Sequence, residues 1–355
     1  MSTVVLQCVG IDISSECFDV CFKDQDQDGN RVIKGTRSFD NNANGFKSYM
    51  AWCAKGKKDC DLIHLMEATG VYHEELCYYL YELGEFVSVQ MPARVKYFIK
   101  SLNLKTKTDK TVAKAIAEMG LSCKVERWQP ASKEFKQIRD LSRVLVKLKK
   151  GHSTVSSQLH ALKRAHNSLQ QSITIMEELK ANYEQLIKEC EVHLMELVQS
   201  ESELKEKIDR ITIIKGIGTL TVVKLLAETD AFRNCSSIRK LVSYSGLDVV
   251  ENQSGKFRAK TRISKKGNAY IRAALYMPAL SAIKHENKVK TFYERLEKRT
   301  PYKKQAIVAV MRKLLILVYT LWKNGQNYDP DFTWQQKSKG EDKPRPQDSY
   351  LKTTS

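Results

Sequence analysis

Short runs of β-branched, aliphatic and aromatic residues separated by turn signals fill the first ninety positions. They are Val4 to Ile13, Cys17 to Lys23, Arg31 to Phe39, Leu62 to Met66 and Phe86 to Val89, with an Asp-Gln-Asp-Gly-Asn turn ending at Asn30. Helical spacing of apolar positions occupies Asn44 to Lys55, His73 to Leu83 and about Lys110 to Gly120. The order β-β-β-α-β-α-β-α predicts an α/β domain, a mixed sheet with helices packed on it, over residues 1–128.

Beyond Pro130 no proline recurs until Pro278, and only Gly151 interrupts the run up to Gly216. Apolar or His residues at Leu141, Leu145, Leu148, His152, Val155, Leu159, Leu162, His166, Leu169, Ile173 and Met176 alternate spacings of four and three. That period predicts a coiled coil within residues 129–209, although a hairpin folded on itself would show the same stripe. After Met176 the stripe restarts at Leu179, a phase slip expected of a hinge or of the turn of an antiparallel hairpin. His152 and His166 lie in the seam, where polar residues fix register rather than bind metal. Residues 210–325 read as a mostly α-helical domain: a Gly216-Ile217-Gly218 turn, a Gly-containing loop from Gly246 to Gly267, then helices from Asn268 to His285 and Gln305 to Trp322. The polar segment 326–355 is expected to be a disordered tail, and no internal repeat is visible.

Composition narrows the function classes. With 355 residues and 42% hydrophobic content the chain can bury real cores, which argues against a disordered protein. The longest apolar runs, such as Leu314 to Leu317, are too short to cross a bilayer, and the amino terminus reads as a strand rather than a secretion signal. Nine scattered cysteines without a CxxC pair suit free thiols, so the expected location is the cytoplasm. The net charge of +18 is uneven: residues 91–172 carry 18 basic against 5 acidic side chains and residues 210–325 carry 24 against 7, while residues 1–90 carry 8 against 14. Two basic segments alternating with acidic ones point to a nucleic-acid partner and an acidic site that gathers cations.

Three carboxylates stand out. Asp12 interrupts the apolar strand Val9-Gly10-Ile11-Asp12-Ile13, and Glu67 ends Leu62-Ile63-His64-Leu65-Met66 just before an Ala68-Thr69-Gly70 turn. Asp109 opens a helix, where a plain capping role is equally available. Acids on two central strands with one at a helix start form an arrangement that holds Mg²⁺ for phosphoryl transfer.

At these positions the sequence resembles one family. Gly10-Ile11-Asp12, Glu67-Ala68-Thr69-Gly70, Lys107-Thr108-Asp109, Ile217-Gly218, Tyr244-Ser245-Gly246-Leu247, Gln253-Ser254-Gly255, Ile263-Ser264-Lys265-Lys266-Gly267 and Ala274-Leu275-Tyr276-Met277-Pro278-Ala279 follow in the order of its motifs, from about residue 6 to residue 325. The family is the bacterial insertion-sequence transposases with a DEDD, RuvC-like amino domain and a carboxy-terminal domain bearing a serine nucleophile, relatives of the Piv DNA invertase. The resemblance implies an RNase H-like domain whose Asp12, Glu67 and Asp109 bind Mg²⁺. It implies that Ser254 attacks a DNA phosphodiester and holds the strand as a phosphoserine. It further implies a structured non-coding guide RNA, a bridge RNA pairing with element-end (donor) and target DNA, and a homo-oligomer, dimer to tetramer, with composite sites. Arg258, Lys260, Arg262, Lys265 and Lys266 are then placed to hold phosphates. Lys215, Gly216 and Gly218 form either a turn whose backbone N–H groups face a phosphate or a simple helix-capping turn.

One position departs from the pattern. The family's fourth acid lies three residues after the third, and here it is Val112, which cannot ligate a metal; Glu118, two and a half turns beyond Asp109, is a poor substitute. Three readings therefore stand: an RNA-guided recombinase working with three acids, a catalytically impaired nucleic-acid-binding homologue, and a metal-dependent RuvC-like nuclease in which water attacks and Ser254 is idle.

Overall fold

The computed structural model describes residues 3–104, 108–233, 235–251, 253–255, 257–258, 261–299 and 302–329. The chain divides into two units, Met1–Pro130 and Ala131–Ser355.

The first unit is a mixed α/β domain. Its strands are β1 (Val4–Ile13), β2 (Cys17–Asp26), β3 (Arg31–Asp40), β4 (Asp61–Glu67) and β5 (Phe86–Gln90). They form one sheet in the order β3-β2-β1-β4-β5, with the β1, β2 and β3 ladders antiparallel and the β1–β4 and β4–β5 ladders parallel. Alternation along β1 sends Val9, Ile11 and Ile13 to one face, where they join Phe46 and Tyr49 of α1 (Ala43–Gly56) and Leu76 and Leu80 of α2 (Glu74–Glu82). The other face carries Cys8, Ile63 and Leu65 against Ile116 and Met119 of α4 (Asp109–Ser122), with Val95 of α3 (Pro92–Ser101) in the same core. The sequence pattern did not reveal α3, because Val95 is its one buried residue and Lys96 and Lys100 break any stripe.

Helix α4 begins at a reciprocal capping box between Thr108 and Thr111. Gly10 lets it lie directly on β1: a Cβ there would sit 2.1 Å from the Ala117 nitrogen and 2.3 Å from the Ala113 oxygen. Further back along the strand, Gly120 of the helix faces the Cys8 sulfur. The helix therefore runs antiparallel to β1, and its amino-terminal end comes over the carboxyl end of the strand.

Among its described residues the second unit is helical apart from two short ribbons. Helices α5 (Lys133–Arg164) and α6 (Gln170–Gln199) form an antiparallel hairpin, shown by pairs that converge toward its turn: Lys149–Glu191 at 2.6 Å, His152–Glu184 at 3.1 Å and Lys163–Glu177 at 2.6 Å. The turn falls at residues 165–169, ahead of the expected slip after Met176. Asn167 adopts a left-handed φ of 58°, and the Ser168 hydroxyl donates to the Leu162 carbonyl, so the last turn of α5 is closed off locally. The stripe from Leu141 to Met176 is thus two helices read through a turn rather than one continuous helix.

Helices α7 (Ser202–Thr212), α8 (Thr219–Thr229), α9 (Ile238–Tyr244), α10 (Ala269–His285), α11 (Asn287–Glu297) and α12 (Lys303–Asn324) complete the unit. Ile138 and Leu145 of α5 share its core with Val222 and Leu226 of α8 and Val310 and Leu314 of α12. At 22 residues and mean hydropathy 1.5, α12 is long and apolar enough to cross a membrane; here its apolar face is built into that core. A polar network around the buried Glu228 ties four helices together. Arg143 of α5 forks onto the Glu228 carboxylate of α8 with two 2.8 Å bonds and stacks on the Tyr270 ring of α10, while Asn268 donates to the same carboxylate at 2.6 Å. The Tyr244 hydroxyl of α9 donates to the Glu228 carbonyl.

Candidate catalytic and nucleic-acid sites

The acidic site is set by strand register. Ile11 pairs with Met66 on β4, so the next step sets Asp12 beside Glu67 at the carboxyl ends of two parallel strands, both on the face that α4 covers. Asp109 starts α4 at that same end and is exposed. The crevice outside the carboxyl ends of the strands is where open α/β sheets bind their ligands. Across the antiparallel ladder Asp12 pairs with Asp19 on β2, again on the α4 side, and Ser38 donates to the Asp19 carboxylate. Asp19, Asp12 and Glu67 thus form a row across three adjacent strands. The sequence pattern missed Asp19, because nothing in it states which residue of β2 opposes Asp12.

Val112, one turn after Asp109, is 6% exposed and belongs to the apolar cluster with Leu65, Val95 and Ile116. Glu118 is committed elsewhere: its carboxylate takes Lys23 at 2.6 Å and also pairs with Arg31. Burial pushes its pKa up, yet these two cations hold it below the usual carboxylate value. Neither residue supplies the fourth acid.

Among the described residues no group of three or more His, Cys, Asp or Glu side chains is gathered as a metal-holding cluster. The adjacent pair Asp12 and Glu67 nevertheless suits Mg²⁺, which is ordinarily held by one or two carboxylates together with substrate phosphates and waters.

The serine lies in the second unit. Gln253–Ser254, here β7, pairs with Phe257–Arg258, β8, in a tight antiparallel ribbon with Ser254 opposite Phe257. Gly255 turns the chain with φ +55°, and a Cβ there would meet nothing within 4 Å. Ser254, Gly255 and Phe257 (60% exposed) all face outward. The ribbon grows out of a second one, in which Val249–Val250 (β6) pairs with Arg262–Ile263 (β9), so the expected loop from Gly246 to Gly267 is two nested ribbons.

Of the cations, Arg262 sits on β9, and Lys265 and Lys266 follow it; all three are exposed. Lys265 has a left-handed φ of 52° and its N–H donates to the Gly246 carbonyl, while the Ser264 hydroxyl bonds Asp248 and accepts from the Lys266 N–H. Arg258 lies on β8; Lys107, Lys260 and the tail from residue 330 lie outside the described residues. Lys215 is exposed in the turn between α7 and α8. Gly216, at φ +99°, packs so closely on α10 that a Cβ would sit 2.6 Å from the Ala282 nitrogen. Gly218 caps α8 without a side-chain bond to its first N–H groups.

Comparison with known proteins finds matches over both regions. Residues 9–168 match a transposase model of the IS110 DEDD type, and residues 208–294 match one described as transposase IS116/IS110/IS902 family. The pilin gene-inverting proteins of Moraxella bovis and Moraxella lacunata are each 28% identical over 324 residues, covering 90% of this chain and 97% of theirs. The transposase for insertion sequence element IS1111A of Coxiella burnetii is 23% identical over 305 residues, 79% of either chain. A crystal structure of the fowlpox virus Holliday junction resolvase aligns at 14% identity with TM-score 0.24, over 32% of this chain and 94% of the resolvase. Acids on the sheet and the serine ribbon fall inside two matched regions that occur in one group of proteins, and the chain belongs to the IS116/IS110/IS902 family of transposases.

Proposed function

We propose that this chain is an RNA-guided DNA recombinase of an insertion sequence, with an RNase H-like first unit, which cuts and rejoins DNA through a phosphoserine. The observation that carries this reading is the exposed Ser254 at the turn of a basic ribbon, within a chain whose relatives include gene-inverting proteins. Ser254 Oγ attacks a backbone phosphorus; a Ser–O–P bond forms, the bond to one sugar oxygen breaks, and that oxygen leaves with a proton as the hydroxyl end of the cut strand. Attack by the freed hydroxyl of another strand on the phosphoserine reverses the step and reseals the DNA. A serine hydroxyl is a weak nucleophile and needs its proton accepted as it attacks. Arg262, Lys265 and Lys266 hold phosphates beside the reacting one, and Lys215 with the Gly216 to Gly218 turn holds the backbone farther along. When bound, Mg²⁺ would be held by Asp12 and Glu67, with Asp109 at the same edge, and would neutralise charge on the reacting phosphate. The partners are element-end and target DNA, a structured guide RNA from the flanking non-coding region, and further copies of the chain, dimer to tetramer, in the bacterial cytoplasm.

The test combines protein, Mg²⁺, element-end DNA and flanking RNA on a denaturing gel. A protein–DNA adduct that disappears in Ser254→Ala supports the reading; cut strands without an adduct would replace it with a nuclease. A second reading draws on the burial of Val112: a homologue that binds nucleic acid with steep salt dependence and cuts nothing.

A further inference from the structure

A cavity of about 600 Å³ opens between the β6–β9 ribbon and the start of α12. Its lining is mostly apolar, with Leu247, Val249, Ile263 and Val308 among the residues, and includes the cations Arg262, Lys265, Lys304 and Arg312. No carboxylate is among the lining residues, and Tyr302, 51% exposed, is one of them. The volume falls within the roughly 300–1,000 Å³ of small-ligand pockets. A solvated cationic face would be flat and polar, whereas this one is a cavity whose lining combines apolar side chains, one tyrosine and four positive charges.

We propose that this cavity receives one unstacked nucleotide of a single strand, its base against Tyr302 and the apolar lining and its phosphates on the surrounding cations. Bases in a duplex are stacked and hidden, so only an unstacked one reaches such a lining; aromatic stacking with cationic phosphate contacts is how proteins hold single strands irrespective of sequence. The placement gives the pocket a purpose. The serine ribbon β7–β8 is inserted between β6 and β9, so the strand that carries Arg262 and Ile263 into the cavity also ends the segment that carries Ser254. A nucleotide seated here anchors a strand close to the nucleophile while its neighbours are cut or exchanged. Tyr302, Lys304 and Arg312 thereby join the nucleic-acid surface. The inference rests on the nucleic-acid reading of the chain but not on the identity of the nucleophile.

The experiment measures binding of the full chain to a fluorescently labelled twelve-nucleotide single strand and to the duplex of the same sequence, at fixed salt. Tyr302→Ala should weaken single-strand binding between about five- and a hundredfold, the range for loss of one base stack. Duplex binding should stay unchanged and Tyr302→Phe should bind as the native chain does. Lys304→Gln should likewise weaken single-strand binding and leave duplex binding unchanged. Equal losses on both DNAs, or none on either, overturn the pocket while leaving DNA binding itself intact. Failure to bind either DNA overturns the pocket and the nucleic-acid reading together. Displacement of the single strand by poly-glutamate as readily as by unlabelled oligonucleotide overturns it in favour of an acidic peptide.

Discussion

The carboxylate edge and the serine ribbon are built by opposite means. Asp12, Asp19 and Glu67 stand on adjacent strands of a five-stranded sheet, and their relative positions follow from ladder pairing and from a helix seated on Gly10. Ser254 stands on a two-residue strand whose partner is another two-residue strand, Phe257–Arg258, and a Cβ at Gly255 between them would meet nothing within 4 Å. The acids are thus fixed by a core, which suits charges that must stay close together despite repulsion. The serine is held by its short hairpin pairing with Phe257, which would suit a group that must reach a phosphate and later release it. In the proposed reaction two demands, a rigid electrostatic site and an accessible nucleophile, would fall to two separately built regions.

The comparison breaks most visibly at the acids. Asp12→Asn should lower strand cutting by about a hundredfold or more while DNA binding persists, because it removes charge stabilisation without changing shape; an assay pairing cleavage with binding checks this. Next, one substitution made at two glycines should separate the regions. Gly10→Ala forces a methyl into the α4 backbone and should cost unit 1 about 3 kcal/mol in a denaturant titration. Gly255→Ala meets no neighbour and should cost only about 1 kcal/mol, from its left-handed backbone. Val112→Asp places a carboxylate among Leu65, Val95 and Ile116 and should destabilise the metal-free protein by about 2 kcal/mol. Part of that loss should return with Mg²⁺, and strand exchange should rise; an unchanged recombination rate contradicts the fourth-acid interpretation.

The smallest effect concerns the bracing beneath β4. The Tyr49 hydroxyl and His64 Nδ1 share a hydrogen bond at 2.5 Å, and His64 Nε2 lies 3.6 Å from Glu85. His64 beside it and the Lys57 ammonium hold Glu85 down to about 2, against a partial burial that pushes it up. Burial also lowers the His64 pKa, so that ring stays neutral in the fold. Both shifts act in the same direction. Stability should decline as pH falls below 6.5, where the unfolded His64 takes up a proton, and again from 4.5 toward 2, where Glu85 does. Glu85→Gln should flatten the lower limb of a stability-against-pH curve measured by chemical denaturation.

Alternation of apolar residues revealed β1, β2, β4 and β5, which bury a face or both, whereas β3 buries only Phe39 and was marked by its β-branched residues and the turn before it. Alternation could not reveal register, so Asp12 and Glu67 were visible as misplaced charges while Asp19 was not. The stripe from Leu141 to Met176 was legible as helix but its turn was not, since the two helices of a hairpin both present apolar residues to one seam; the single local sign was Asn167 in His166-Asn167-Ser168. Helices α3 and α11 each bury a single residue and so left no period. Glu228 is 4% exposed among apolar neighbours, and its partner Arg143 is far away in sequence, so the network that ties α5 to α8 had no local signature. Ser254 looks like any polar turn residue, and only the family resemblance distinguished it.

The most direct measurement of the central claim is to let the protein act on labelled element-end DNA with RNA and Mg²⁺, digest it with protease, and identify the residue that carries a nucleotide. The account predicts one modified peptide, that containing Ser254, and its absence in both Ser254→Ala and Asp12→Asn. Strands cut at the same site with no nucleotide on any peptide would contradict it and assign the attack to water.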